Sequence, residues 1–127
     1  MAAGEFTGAQ RHEIDRAIRG AEQSSRYEFS VFVGHAEGAP RPFAERLHAS
    51  LVVPQRSILV MVDPAARVVE VVTGAEVRRT LSDAAVSLVV LQMQSAFAAD
   101  DLVGGLRRGI AMLADHSRSP QTLHAKD

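Results

Sequence analysis

Apolar residues recur every three or four positions in four stretches of the chain, which is the spacing of one face of an α-helix. Ahead of the first stretch, Thr7 and Gln10 have the spacing of a capping box, and Ser82 stands where a cap is expected before the third. The pattern therefore predicts four helices, with a brief turn or short helix at residues 76–80. The predicted helices span residues 7–23, 42–54, 83–97 and 100–114.

Three other runs, at residues 27–33, 57–62 and 68–72, are rich in β-branched and aromatic residues, which favours β-strands. The second run is almost continuously apolar, as expected of a strand that is covered on both faces. Asp63 and Pro64 open a turn after it, so the second and third strands are predicted to form an antiparallel hairpin. A helix joins the first strand to the second, which predicts a parallel pair with a right-handed crossover.

The predicted element order is α-β-α-β-β-α-α. It indicates an α/β fold with a small mixed sheet of about three to four strands and helices packed on the sheet. These elements fill residues 7–116, so we expect one domain there. We expect a flexible N-terminus at residues 1–6 and a loose C-terminal tail at residues 117–127, where polar and turn-forming residues show no periodicity.

Composition narrows the classes of function. The 127 residues include 14 basic and 15 acidic side chains, and the formal net charge of -1 gives no positive field that would attract nucleic acid. The sequence has no cysteine, which excludes disulfides, thiolate catalysis and cysteine-based metal sites. Any metal would need oxygen or histidine ligands.

Two features bear on the cellular location. Residues 1–9 show no basic segment followed by an apolar run, so no secretory signal is predicted and we expect a cytoplasmic protein. Residues 84–99 are uncharged, but they include serine and glutamine and are fewer than the roughly 20 apolar residues of a membrane span. We expect this stretch to be a buried helix and predict no membrane span.

Several segments resemble the TPM domain family, named for a thylakoid lumen protein, a photosystem II protein and a nematode receptor-associated protein. The resemblance covers about residues 7–116, and the chain also resembles a group of small uncharacterised actinobacterial proteins. The segments that carry it are YEFSVFV, FAERLHASL, the hairpin sequence SILVMVDPAARVVEVVTGAEV, the LSD before the third helix, and FAADDLVGGLRRGI at the start of the fourth.

The resemblance implies the fold described above and two kinds of function that members of the family show. Some members have acid phosphatase activity or bind divalent metals, and others act as assembly or accessory factors. The chain departs from the family where a Trp-Gly element often precedes the second strand, since residues 51–53 are Leu-Val-Val here. It also departs after the hairpin, where a Gly-rich sequence is replaced by Thr-Gly-Ala-Glu at residues 73–76. Members are usually exported or membrane-tethered.

Polar side chains are predicted to meet at one end of the sheet. In an open α/β sheet, ligands bind outside the carboxyl ends of the parallel strands, where His35 and Asp63 follow the first two strands. The helix at residues 83–97 is long enough to cross the sheet once and would return Asp100 and Asp101 to that end. Asp63, Asp100 and Asp101 are therefore a candidate site for Ca²⁺ or Mg²⁺, with His35 as a candidate ligand-binding residue.

Each of these carboxylates also has a local structural role available. An aspartate before a proline commonly starts a turn, which suits Asp63. Asp100 or Asp101 can cap the fourth helix and complement its dipole. We favour these structural roles, because each residue type at its position is already explained by them.

A second candidate ligand-binding position follows the third strand. Thr73 and Gly74 end the hairpin there, and Arg78 and Arg79 could bind an anion near them. No P-loop, Gly-x-Ser-x-Gly, His-Glu-x-x-His or dinucleotide-binding motif occurs in the sequence.

Two functional hypotheses remain. The preferred one is a non-catalytic intracellular binding or assembly module that receives a protein partner or a small ligand. It rests on the missing catalytic motifs and on the altered family loops. The alternative is a divalent-metal-dependent phosphatase that acts on phosphomonoesters through Asp63, Asp100 and Asp101.

Overall fold

The computed structural model describes residues 6–118. Four α-helices and three β-strands follow one another in the predicted order, with two short 3₁₀ turns at Pro54–Arg56 and Val77–Arg79. The helices are α1 Gly8–Ser25, α2 Pro40–Ala49, α3 Asp83–Ala98 and α4 Leu102–Ser117, and the strands are β1 Glu28–Val33, β2 Ser57–Asp63 and β3 Val68–Thr73.

The three strands form one mixed sheet with β2 in the centre. β1 runs parallel to β2, with Glu28 opposite Ser57, and β3 runs antiparallel to β2, with Asp63 opposite Val68. The parallel pair and the hairpin predicted from the sequence are therefore confirmed, and so is the α/β fold class.

Each face of the sheet is covered by a different part of the chain. Ile58, Val60 and Val62 of β2 belong to the larger core cluster, which also contains residues of α1, α3 and α4. Leu59 and Met61 alternate with them and belong to a smaller cluster with residues of α2. All residues of β2 are buried, as its continuous apolar pattern predicted.

The helices on the larger face lie side by side. α4 contacts both α1 and α3, while α1 contacts β1 and α3 contacts β3. The contact between α3 and α4 depends on glycine: a Cβ atom at Gly109 would lie 2.5 Å from Sδ of Met93, and one at Gly105 would lie 2.7 Å from the ring of Phe97. Glycine at these two positions lets the helix backbones approach each other closely.

The helix starts follow the predicted capping chemistry. The backbone N–H of Gln10 donates to Oγ1 of Thr7 at 3.1 Å, and the N–H of Thr7 donates back to Oε1 of Gln10 at 3.0 Å, which completes the capping box. Ser82 caps α3 through the N–H of Ala85. These contacts satisfy N–H groups that a helix start leaves without an intrahelical partner.

The second helix differs from its predicted span. α2 begins at Pro40, because a proline is well suited to the first helical position, and it ends at Ala49. The helix does not continue to Pro54, which instead begins a separate 3₁₀ turn that leads into β2.

The expectation that α3 is a buried helix is wrong in part. Val89 and Met93 are its buried residues, whereas the side chains of Leu88 and Leu91 are 58% and 61% exposed. The reason is the position of α3 at the outside of the helix layer, where α4 covers one flank only. Within residues 6–118, no helix combines the length and the hydropathy that crossing a membrane requires.

The predicted terminal segments fall largely outside the described residues. Phe6 packs against the larger core, and α4 continues beyond its predicted end at residue 114 to Ser117. Ser117 is 1% exposed and its hydroxyl donates to the carbonyl of Ala114. The flexible terminus and loose tail predicted for the remaining residues lie outside the described range.

Candidate functional site

A surface groove of about 600 Å³ lies at the end of the sheet where the hairpin turns. One wall is the β2–β3 turn, with residues 62–64 and 67–69, and the other is the α3–α4 connection, with residues 97–98 and 100–103. Gln10 of α1 and Gln94 of α3 complete the lining. We call this the hairpin-end groove. It contains Asp63, Asp100 and Asp101, so α3 does cross the sheet and return the acidic pair to the end that holds Asp63.

Asp63 connects two loops at the end of β2. Its side chain is almost fully buried; Oδ2 accepts a hydrogen bond from the N–H of Ala36 at 3.0 Å, and Oδ1 accepts one from the N–H of Ala66 at 3.2 Å. The N–H of Ala36 is the main cause that lowers the pKa of Asp63, with the N–H of Ala66 and nearby His35 also lowering it, against an opposing effect of burial. The predicted turn role of Asp63 is thus confirmed.

His35 lies beside this carboxylate at the surface. Its Nδ1 is 3.6 Å from Oδ1 of Asp63, which is longer than a hydrogen bond, and its side chain is 76% exposed. The structure therefore brings His35 to the same end of the sheet as Asp63, as the topology predicted. A ligand-binding role for His35 stays a prediction.

Asp101 caps α4. Its Oδ1 accepts from the N–H of Gly104 at 3.1 Å, and its Oδ2 accepts from Nη2 of Arg108 at 3.0 Å. The hydrogen bond from Arg108 is the main cause that lowers the pKa of Asp101, and the N–H of Gly104 contributes in the same direction. A Cβ atom at residue 104 would lie 2.4 Å from this carboxylate, so a larger residue there would displace the capping side chain.

These bonds hold both oxygens of Asp63 and of Asp101 on donors of the protein itself. Across residues 6–118, no set of three or more histidine, aspartate or glutamate side chains is arranged to hold a metal ion. The metal-binding role of Asp63, Asp100 and Asp101 stays a prediction, whereas the capping role is confirmed for Asp101.

Two charged residues of the groove share an unusual backbone conformation. Arg67 has φ of 58° and Asp100 has φ of 61°, in the left-handed region that residues other than glycine rarely adopt. Within the described part of the chain, neither side chain has a hydrogen-bonding or ionic partner. Both are exposed at the groove. Within residues 6–118, they are therefore an unpaired cation and an unpaired carboxylate at opposite walls of the groove.

Arg67 is a groove residue that sequence reasoning missed. It is the last residue of the hairpin turn before β3, and its N–H donates to the carbonyl of Pro64 at 3.2 Å. The signal in the sequence is the turn itself: Pro-Ala-Ala-Arg contains no glycine or asparagine, so an ordinary residue must take any left-handed position that the turn needs.

Thr73 and Gly74 lie at the other end of the sheet. Thr73 is opposite Ile58, five rungs or roughly 17 Å from the pair formed by Asp63. Its carbonyl accepts a hydrogen bond from the guanidinium of Arg78, so that arginine holds the backbone here. The structure does not bring this position together with His35, and ligand binding by Thr73 and Gly74 stays a prediction.

Gly74 has a clear packing role. A Cβ atom at this residue would lie 2.1 Å from the carbonyl oxygen of Pro54, because the backbones of the two segments touch. The N–H of Gly74 donates to the carbonyl of Ser57 at 3.0 Å and continues the β2–β3 ladder beyond β3.

Several solved bacterial structures share this fold. The NMR structure of the BA42 protein of Bizionia argentinensis superposes with a TM-score of 0.78 at 20% identity, over 89% of this chain and 82% of that chain. The N-terminal domain of a protein from P.gingivalis superposes with a TM-score of 0.76 at 21% identity, over 89% of this chain and 76% of that chain. The N-terminal domain of the cg2496 protein of Corynebacterium glutamicum superposes with a TM-score of 0.73 at 15% identity, over 95% of this chain and 80% of that chain. At these identities the likeness establishes the fold alone.

Sequence relatives come from Mycobacterium tuberculosis. Proteins described as uncharacterized in the CDC 1551 / Oshkosh and H37Rv strains are each 27% identical over 101 residues, or 80% of this chain. The chain spans about 60% of the length of these curated relatives. The strongest assignment comes from a family match over residues 2–114, nearly the whole chain. The chain belongs to the family described as a domain of unknown function, DUF5130.

Proposed function

We propose that the chain is a non-catalytic binding or assembly module and that the hairpin-end groove receives its ligand or partner segment. The observation that carries this proposal is that one groove combines apolar walls with a cation, Arg67, and a carboxylate, Asp100, that have no partner in the described part of the chain. A groove of about 600 Å³ with a few polar groups is typical in size and character of a small-ligand site.

The apolar part of the groove supports binding by burial. Val62 and Val69 are buried, and Phe97, Leu102 and Val103 are partly buried and pack against the larger core. A ligand that covers such surface gains roughly 25 cal/mol for each Å² of apolar area removed from water. The partly exposed side chains of Phe97, Leu102 and Val103 therefore favour a ligand with an apolar portion.

Arg67 and Asp100, which are unpaired among the residues that the structure describes, support a ligand with a polar portion. The guanidinium of Arg67 can form two parallel hydrogen bonds with a carboxylate or phosphate group. Asp100 faces the same groove and can accept from a donor group. Both residues keep a left-handed backbone that costs of order 1–3 kcal/mol each, and strain of this kind clusters at functional sites.

The proposal is tested by mapping amide chemical shifts while an aromatic carboxylate, phenylacetate, is titrated into the protein. We expect the shifts to concentrate in residues 62–69 and 97–103, and to be lost in Arg67→Ala. Arg79→Ala is the matched control, because Arg79 is also exposed but follows β3 at the opposite end of the sheet. Shifts scattered over the surface, or kept in Arg67→Ala, would contradict the proposal.

A divalent-metal-dependent phosphatase acting on phosphomonoesters remains the alternative function. What favours it is the placement of Asp63, Asp100 and Asp101 in one groove. What disfavours it is that both carboxylate oxygens of Asp63 and of Asp101 already accept hydrogen bonds from backbone N–H groups or from an arginine. It predicts a rise in melting temperature with Ca²⁺ or Mg²⁺ and turnover of a phosphomonoester that Asp101→Asn abolishes, and pure protein that shows neither would end this alternative.

Two finer predictions accompany the proposal. The first is a relation between the DUF5130 family and the TPM family, which the resemblance of the YEFSVFV, hairpin and FAADDLVGGLRRGI segments supports. An assembly role would agree with such a relation. A cytoplasmic location is the second, and fractionation of cells that produce the protein tests it.

A further inference from the structure

The charged side chains at the hairpin-end groove form a paired set and an unpaired set. Both oxygens of Asp101 are engaged, one by a backbone N–H group and the other by the guanidinium of Arg108. Arg67 and Asp100 line the same groove, and their side chains have no partner among residues 6–118. Each of these two can therefore bind a group of opposite charge without first giving up a contact within the described residues.

The formal charge of the groove lining is negative. Arg108 neutralises Asp101, whereas the donors to the Asp63 carboxylate are backbone N–H groups, which carry no net charge. Arg67 and Asp100 add one charge of each sign, so the charge of Asp63 is left in excess. A ligand that carries only a carboxylate is attracted by Arg67 but repelled by this excess.

The two unpaired charges belong to different layers of the fold. Arg67 lies in the β2–β3 turn of the sheet, and Asp100 lies in the α3–α4 connection of the helix layer. Helices with a diameter of about 10–12 Å place the axes of that layer roughly 10 Å from the sheet. A ligand that contacts both charges therefore spans the groove, and an apolar middle part can cover the side chains of Phe97 and Leu102, which line the same groove.

We propose that the ligand of the hairpin-end groove is a small zwitterion, with a carboxylate and an ammonium group at the two ends of an apolar body. This inference rests on the proposed function and adds the chemical class of the ligand. The guanidinium of Arg67 binds the carboxylate through two parallel hydrogen bonds, and the carboxylate of Asp100 accepts from the ammonium group. A zwitterion brings no net charge, so the negative excess of the groove does not oppose its binding.

The size of the groove favours a small molecule over a protein segment as the source of these charges. Its volume of about 600 Å³ lies in the middle of the range of small-molecule sites, roughly 300–1,000 Å³. A protein segment would extend beyond the two walls, and its further backbone and side chains would stay in water. A compact ligand that carries both charges makes all its contacts within the groove.

The test compares three ligands that share one aromatic ring. Para-aminomethylphenylacetate carries both charges, para-methylphenylacetate lacks the ammonium group, and para-methylbenzylamine lacks the carboxylate. Titrations followed by amide chemical shifts give the three affinities. We expect the zwitterion to bind about fivefold more tightly than either analogue, which is the gain typical of one exposed ion pair, with the shifts concentrated in residues 62–69 and 97–103.

Variants of two exposed aspartates show whether the ammonium group contacts Asp100. Asp100→Asn should remove the advantage of the zwitterion over para-methylphenylacetate, because the partner of the ammonium group is lost. Asp83→Asn is the matched control and should keep the fivefold difference, since Asp83 is also exposed but begins α3, at the end of the helix opposite to Asp100. An advantage that survives in Asp100→Asn, or that both variants remove, would overturn the inference.

The outcomes also separate this inference from the proposed function. No binding of any of the three ligands in the groove would overturn both. Binding of para-methylphenylacetate at residues 62–69 and 97–103, with no gain from the ammonium group, would overturn the inference and leave the proposed function standing. Tighter binding of a blocked tripeptide of glutamate, phenylalanine and lysine than of the zwitterion would overturn the assignment of a small molecule.

Discussion

At the scale of single residues, Asp63 shows how a side chain at a candidate site also holds the fold. It ties the β1–α2 loop and the hairpin turn to the end of β2 through two backbone N–H groups. A buried acceptor with two backbone donors has no substitute among the uncharged residues, because an asparagine offers only one acceptor atom.

Asp63→Asn should therefore destabilise the protein by about 1–3 kcal/mol, the cost of leaving a buried donor without its partner. Asp100→Asn is the matched control, since the Asp100 side chain has no partner in the described residues and asparagine tolerates its left-handed backbone. It should change the free energy of unfolding by less than about 0.5 kcal/mol. Urea denaturation measures both, and equal effects would show that the bonds of Asp63 are not what stabilises this end.

Gly74 gives a second prediction at this scale. Gly74→Ala places a Cβ atom against the Pro54–Gln55 backbone, which cannot move aside as a flexible side chain can, so we expect a loss of roughly 1–3 kcal/mol or more. Gly20→Ala has open space around the new Cβ within α1 and should stabilise by about 0.5–1 kcal/mol. Thermal unfolding compares the two, and a neutral Gly74→Ala would contradict the close approach of these segments.

At the scale of elements, α3 shows that an apolar sequence and a buried helix are different things. One flank of α3 packs on β3 and α4, and the other flank carries exposed leucines. Substitutions on the two flanks should therefore have unequal effects on stability, although the residues are similarly apolar.

Met93→Ala should destabilise by about 2–5 kcal/mol, because it removes a side chain that is 1% exposed and leaves a cavity against α4. Leu88→Ala removes a side chain that is 58% exposed and should cost less than about 1 kcal/mol. Guanidinium denaturation measures this difference. Comparable losses in the two variants would mean that the Leu88 flank is covered in solution.

At the scale of the whole molecule, the carboxylates with lowered pKa link stability to pH. The pKa values of Asp63 and Asp101 are held below their ordinary range in the folded protein, and an unfolded aspartate titrates near 3.9. Protons therefore bind more tightly to the unfolded chain. The stabilisation is complete above the unfolded pKa and is lost as the pH falls through the lower folded pKa.

We expect the free energy of unfolding to decrease on acidification below about pH 4, and this acid slope to be reduced in Asp63→Asn. The measurement is urea denaturation at a series of pH values between neutrality and acid. Asp100→Asn again serves as the control and should keep the wild-type slope. An unchanged slope in Asp63→Asn would show that other groups cause the acid sensitivity.

The sequence by itself determined the elements and their order. The capping box at Thr7, the hairpin turn at Asp63 and the cap before α3 are local signals, since each is made by residues a few positions apart. The period of the apolar pattern, which distinguishes helix from strand, is likewise set by residues a few positions apart. The connection rules then place Asp63, Asp100 and Asp101 at one end of the sheet, so this part of the candidate site was predictable.

Only the tertiary structure decided which surfaces stay open and which polar groups stay free. The exposed flank of α3 depends on how many neighbours the helix has, and the requirement for Gly74 depends on a segment about 20 residues away in the chain. The same holds for the side chains of Arg67 and Asp100, which have no partner among residues 6–118. Burial and pairing are properties of the packed neighbours, which a local pattern does not contain.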